Sequence, residues 1–408
     1  MELNVIIRVA ITQQPITGYA SRNEVFSYDL SCGFDSISTW ENITDTLKIS
    51  LPKYVYALDQ DGRPFPMAGS NRIIGGDEGS KAGFAPLFLK GDYITVNWGY
   101  RYIKTDGNEE TILTGTNGQP NLFEGVITEV GSNMPIELKA EDYMYHLKQI
   151  PAKSKSWKGY DLQKMLKELI QGNQYGITVR DDAQITLQYN IGSFSTNAGE
   201  TVAQVVARLR NEYGLYFYMR GKQLRGGFPI YYEDEARTHA FAFKKDIVSS
   251  NLVYKRKDDV VLSAVGISEY DAPKEKAVSA GESKTKKVRL EVLVTYKNGK
   301  FTSVVKKKGE QLPPNLEGER RTFIYNGLTT PEQVIERVKP QLLKYYYTGL
   351  RGSFTVIGLP YVKHGDNVTI TNPDLPDQDG IYKVKGVKRS ATTEPKLRQE
   401  ITLDYKIQ

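Results

Sequence analysis

One cysteine, Cys32, and three histidines are all the soft metal ligands that 408 residues offer. A disulfide framework within the chain is excluded, and so is any CxxC knuckle. The usual zinc constellations of four Cys or His are nearly excluded too. No window approaches the roughly 18–20 unbroken apolar residues of a membrane-spanning helix. The first residues, Met1-Glu2-Leu3-Asn4-Val5-Ile6-Ile7-Arg8, lack the basic start and the long apolar stretch of a secretory leader. The expectation is a chain made and folded in a cytoplasm. There is no GxxxxGK(S/T), GxGxxG or HExxH, and no Ser in a GxSxG elbow. His146, His239 and His364 are far apart in sequence and read as surface or packed residues. Glu233-Asp234-Glu235 reads as a solvated turn, and Asp374, Asp377 and Asp379 as a polar hairpin tip in preference to a cation loop. No catalytic, cofactor or metal residue is therefore assigned.

What is present favours strand. There are 27 Tyr against 14 Phe, with 36 Gly to make turns, while apolar residues at 39% and charged residues at 25% suit a globular chain. Thr46-Leu47-Lys48-Ile49-Ser50-Leu51 alternates cleanly and stops at Pro52. Tyr54-Val55-Tyr56 continues toward a turn at Asp59-Gln60-Asp61-Gly62. Gly91 to Trp98, Phe123 to Val130 and Ile136 to Leu138 read as further strands, with a hairpin turn at Asp106-Gly107. After Ile150 the period changes. Leu162, Met165, Leu166, Leu169 and Ile170 have helical spacing that ends at Gly172. A second helix opens at Thr201, with Gln204 at capping-box distance, and Gly214 closes it before the strand Leu215 to Met219. Strands return near Ala240. A third helix starts at Thr330-Pro331 and runs to about Tyr347, with a kink or break expected at Pro340.

The net charge is +6, but the window from Ala272 to Glu310 alone carries eleven Lys/Arg and four Glu. Two readings compete: a patch that meets phosphate or another acidic surface, and a solvated, mobile insertion, the second favoured.

The two β regions also resemble each other. Gly91-Asp92-Tyr93-Ile94-Thr95-Val96-Asn97 matches Gly365-Asp366-Asn367-Val368-Thr369-Ile370-Thr371. Phe123 to Val130 parallels Tyr382 to Val387. Each copy closes on Asp-Tyr, at Asp142-Tyr143 and Asp404-Tyr405. A longer hairpin around Tyr100 to Gly118 accounts for the greater length of the first copy.

With these parts in order, the chain resembles the tail hub proteins of contractile phages and related injection machines: the T-even baseplate hub, the late control D family, and the N-terminal half of the type VI spike protein. Three stretches carry the resemblance. They are Thr39 to Pro52, Gly199 to Leu209 with Tyr213 to Tyr218, and His364 to Ile370 with Asp379 to Val384 and Arg398 to Leu403. The resemblance implies a mainly β fold with an α/β insertion. Two tube-type antiparallel β-barrel domains would span 1–150 and 241–408, and a mixed α/β domain 151–240. The second barrel would carry the basic insertion 272–310 and the helix 330–347. It further implies a non-enzymatic homotrimer, a pseudo-sixfold ring between a hexameric tail tube protein and a separate central spike protein, among other baseplate proteins. Its channel would pass DNA or effector, in a virion tail or injection particle. Two features depart from the family pattern: the insertion itself and the Gly-rich stretch near Gly75-Gly76. The block 199–218 also resembles a LysM module, which would make the alternative a tail-associated peptidoglycan-binding or wall-degrading protein.

Overall fold

The computed structural model describes residues 2–15, 25–28, 33–51, 54–58, 64–68, 71–74, 83–86, 88–131, 135–158, 161–180, 193–213, 215–227, 236–273, 285–307, 310–312, 318–326, 328–392 and 396–407. Cys32, the Asp59–Gly62 turn, Gly75-Gly76 and Glu233–Glu235 lie outside the described residues.

The N-terminal strand Glu2–Thr12 pairs antiparallel along its whole length with Tyr93–Ile103. That strand pairs on its other side with Phe123–Val130, and the ladder continues through Ile136–Glu141, Thr46–Leu51 and Gly33–Thr39. Alternation does here what period two demands: Leu47, Ile49 and Leu51 point into the core with Val9, Ile11, Ile94, Val96 and Trp98. The strand then hands over to the far end of the chain. Gly33–Thr39 pairs with the second half of Gly380–Ala391, from Gly386↔Thr39 to Ala391↔Phe34. The first half of Gly380–Ala391 pairs instead with Asn367–Thr371, and its other edge with Leu397–Lys406. Ser353–Ile357, Ile247–Ser250 and Thr238–Ala242 complete this second region over a core of Phe241, Phe354, Val368, Ile370 and Val384. Among the described residues these pairings form one open, branched sheet.

The repeat read from the sequence is present atom by atom. Gly91 and Gly365 both hold positive φ, 103° and 88°, as the turn before each strand requires. The N–H of Gly91 donates to the carbonyl of Ile127 and the N–H of Ile127 to that of Asp92, at 2.9 and 2.8 Å. Gly365 and Asp366 make the same exchange with Val384, at 2.9 and 2.9 Å. The buried Asp92 carboxylate accepts the N–H groups of Leu89 and Gln14, and that of Asp366 those of Lys363 and Arg237. The extra length of the first copy is the hairpin of Tyr93–Ile103 with Glu109–Leu113, turned at Gly107.

Between the two β regions sits a smaller α/β layer. Helices α1 (Met144–Leu147), α2 (Leu162–Ile170) and α3 (Val202–Tyr213) share a core with Trp157, Phe194, Phe217 and Leu224. Asp161 caps α2, and Thr201 and Gln204 form the capping box of α3. The short helix α1 gives no periodic signal and was not expected.

The second β region is mainly antiparallel, with Thr238–Ala242 running parallel to Asn367–Thr371. Two expectations need correction. The basic window is not a mobile insertion where it is described: Thr285–Lys297 and Lys300–Val305 are paired strands. They lie in a four-stranded sheet with Leu262–Pro273 and Glu319–Asn326. Part of its charge is neutralised locally, with Arg289 and Lys306 both on Glu291 at 2.7 Å. Last, α4 (Pro331–Leu343) runs through Pro340 and stops before Tyr347. Proline forfeits the N–H that would bond four residues back, but so near the helix end packing outweighs that loss. Val334, Val338 and Leu342 of α4 pack on the sheet, and Thr330 with Gln333 closes the capping box.

Candidate functional site

Of the three histidines, two meet the repeat. His239 Nε2 lies 3.2 Å from Asp366 Oδ2. His364, just before the second Gly-Asp, is buried, and its Nδ1 lies 2.9 Å from Ser38 Oγ. Ser38 in turn donates to Asp45 Oδ2 at 2.6 Å. Asp45 is locked to Asp142 by reciprocal bonds, its N–H to the Asp142 carboxylate and the Asp142 N–H to its carbonyl, each 3.0 Å. The N–H of Met144 donates to the other Asp142 oxygen, so the same carboxylate starts α1. Arg220 closes the group by donating to the His364 carbonyl at 2.9 Å. Residues from the first β region, the α/β layer and the second β region thus meet at one polar centre. It borders a cavity of about 350 Å³ lined by Ser38, Asp45, Glu124, Asp142, Arg220 and Lys363 among others.

Two carboxylates this close cannot both ionise freely. Burial first, and the charge of Asp45 second, push the Asp142 carboxyl well above its usual range. Burial also raises Asp45, against the Ser38 hydroxyl and the Arg220 and Arg389 charges, which pull it down. The arrangement differs from a nucleophile–base pair. A serine nucleophile needs a histidine lone pair on its proton. With Ser38 donating to Asp45, its oxygen accepts Nδ1–H from His364. The centre is then a tie between layers.

His146 is packed differently. Its ring stacks on Tyr175 at 4.0 Å and touches Tyr93, Tyr143 and Tyr145 at their edges or faces. Neither ring nitrogen has a hydrogen-bond partner. Burial, and then the nearby Lys222 charge, lower its pKa to about 4, so it is neutral over the physiological range. Asp374 pairs with Lys244, and Asp379 accepts the N–H of Asn372 at 2.7 Å. Among the described residues no group of three or more His, Cys, Asp or Glu is placed to hold a metal ion. No described helix is long and apolar enough to cross a membrane.

A second concavity, about 640 Å³, lies where α3 and its following strand face the edge of the four-stranded sheet. Arg210, Tyr216, Arg320, Arg321, Tyr345 and Lys385 stand on its walls. The Arg321 guanidinium lies 3.3 Å over the Tyr345 ring, and Arg210 is 5.8 Å from that of Tyr216.

The 43 kDa tail protein of prophage MuSo2 from Shewanella oneidensis superposes over 98% of both chains, with a TM-score of 0.51 and 11% identity. The fold is that of phage tail proteins. The tail protein of Neisseria meningitidis MC58 agrees, covering 97% of this chain and 96% of its own at a TM-score of 0.50 and 14% identity. No protein-family model and no curated sequence matches the chain. The tail-protein resemblance read from three weak sequence motifs is thus met by structural neighbours of nearly equal length. The Ser38–His364–Asp45–Asp142 centre was missed in the sequence. Its signals were there, since Asp142 closes one repeat and His364 precedes the other, but nothing local ties Ser38 or Asp45 to them.

Proposed function

We propose that the chain is a structural component of a phage-tail-like machine and acts as its hub. Three copies would close a ring in which six similar β regions face the axis, matching a hexameric tube above and a separate central spike below. The ring would enclose the path of DNA or effector, and the chain would work by assembly, without turnover. The observation that carries this reading is the end-to-end superposition on two tail proteins, with no large segment left over on either side. The duplicated Gly-Asp turn supports the pseudo-sixfold part of it, because one chain then presents the same strand pair twice.

The test is the solution mass of the purified chain by light scattering, with and without a candidate spike protein. One chain weighs 46.0 kDa, so a ring of three weighs about 138 kDa. Ring-shaped particles in electron micrographs are the expected companion result. A strict monomer with the spike present, together with co-sedimentation on insoluble peptidoglycan, would overturn the hub and favour the wall-binding alternative of the 199–218 block.

A further inference from the structure

The four-stranded sheet has the order Lys300–Val305, Thr285–Lys297, Leu262–Pro273, Glu319–Asn326. Glu319–Asn326 pairs only with Leu262–Pro273, in parallel, and among the described residues nothing pairs with its outer side. An edge strand presents alternate N–H and C=O groups outward, a ready template for another strand. Here the edge does not open onto bare solvent. Six consecutive residues, Arg320 to Tyr325, line the 640 Å³ concavity. The cleft therefore follows the edge over about 20 Å at strand rise, with the end of α3 close against part of it.

Charge restricts what can lie there. Arg210, Arg320, Arg321 and Lys385 face the cleft with one carboxylate, Glu41, on its described walls, which Lys385 already holds at 2.8 Å, and the charge of Asp404 also reaches Tyr216 and Tyr345. Among the described residues no carboxylate comes within ion-pair distance of Arg210 or Arg320. Cations on an edge strand alone would be explained as protection against edge-to-edge aggregation. That does not account for Arg210 on α3 or Lys385 on Gly380–Ala391, which come from other elements to the same cleft. A nucleic acid is the poorer match, because the rings available for base stacking, Tyr216 and Tyr345, already lie against Arg210 and Arg321.

We propose that this cleft is a docking site for an acidic, extended segment of a partner protein, which adds to the sheet as a fifth strand beside Glu319–Asn326. Main-chain bonds to the edge would hold the segment, and carboxylates on it would meet Arg210 and Arg320. The inference stands on the cleft and not on the ring.

The probe is a set of fluorescent decapeptides alternating Glu with Val or Thr, titrated against the full chain by anisotropy at low salt. Three comparisons accompany it: Lys-for-Glu versions, versions N-methylated at every second residue, and a single-stranded oligonucleotide of equal charge. Binding of the acidic set, lost on N-methylation and weakened at least tenfold by Arg210→Glu or Arg320→Glu, is the expected result. Both side chains are outside the core, so the variants should fold, which circular dichroism checks. Binding indifferent to N-methylation, or equalled by the oligonucleotide, would overturn the proposal in favour of a general polyanion surface. No binding of the acidic set up to about 1 mM overturns it as well. So does light scattering in which Arg320→Glu dissociates an oligomer that the unmodified chain forms alone, since the occupant is then a second copy.

Discussion

Replacing Asp92 or Asp366 by alanine strips two backbone N–H groups of their acceptor in each case. Leaving part-buried donors unmet costs at most about 1–3 kcal/mol per group, so each variant should lose a similar, measurable part of its stability in urea melts. A large loss at one site and none at the other would break the equivalence of the two turns. His146 makes a prediction of its own. Its folded pKa of about 4 lies below the ordinary 6.5, so the unfolded chain binds a proton that the folded one refuses. The stability this contributes is complete above about pH 6.5 and is lost as pH falls toward 4, by up to about 3 kcal/mol. In His146→Phe the melting temperature should fall less between pH 7 and pH 4.5 than in the parent. Phe also removes two buried nitrogens that nothing satisfies. The Asp45–Asp142 pair works in the opposite sense: its raised carboxyls favour the folded state at low pH and lose that contribution as pH rises. Comparing parent and variant at each pH separates the two.

At the scale of elements, α4 is held on its sheet by a missing side chain. A Cβ built on Gly266 would come 2.6 Å from Val338 and 2.7 Å from Val334. Gly266→Ala should therefore push α4 outward and cost about 1–3 kcal/mol. The double variant Gly266→Ala/Val338→Ala should recover part of what the first loses beyond additivity, read as a double-mutant cycle in denaturant. The helices themselves were legible from sequence because their signals are local: the spacing of Leu162 to Ile170, Thr201 with Gln204, and Thr330 with Pro331 all sit where helices were expected, and Asp161 adds a cap not read from the sequence. The strands Thr46–Leu51 and Tyr93–Ile103 were legible from period two. What could not be read was pairing across distance. The basic window looked like a loop because Lys286, Lys287 and Lys306-Lys307 mask the alternation of Val292 and Val294 with Leu293. Those three bury against two different clusters, one on each face of the sheet. Likewise the cation cleft joins Arg210, Arg320 and Lys385, which no sequence window contains together.

For the whole molecule, the mass measurement decides between ring and monomer, and the Gly-Asp repeat is the reason to expect the ring. The repeat was legible because a buried carboxylate in a tight turn leaves a sequence mark. The joint between its copies was not. Thr39 donates its hydroxyl to the carbonyl of Lys385, 346 residues further along, and Phe34 to Thr39 line up against Gly386 to Ala391. This contact sets a timetable for synthesis. A ribosome adding about 5–20 residues per second needs roughly 20–70 s to reach the partner strand after Thr39 has emerged. Throughout that interval one side of Gly33–Thr39 waits without its final neighbour, so this edge of the newborn chain stays open until Gly386 to Ala391 have left the exit tunnel.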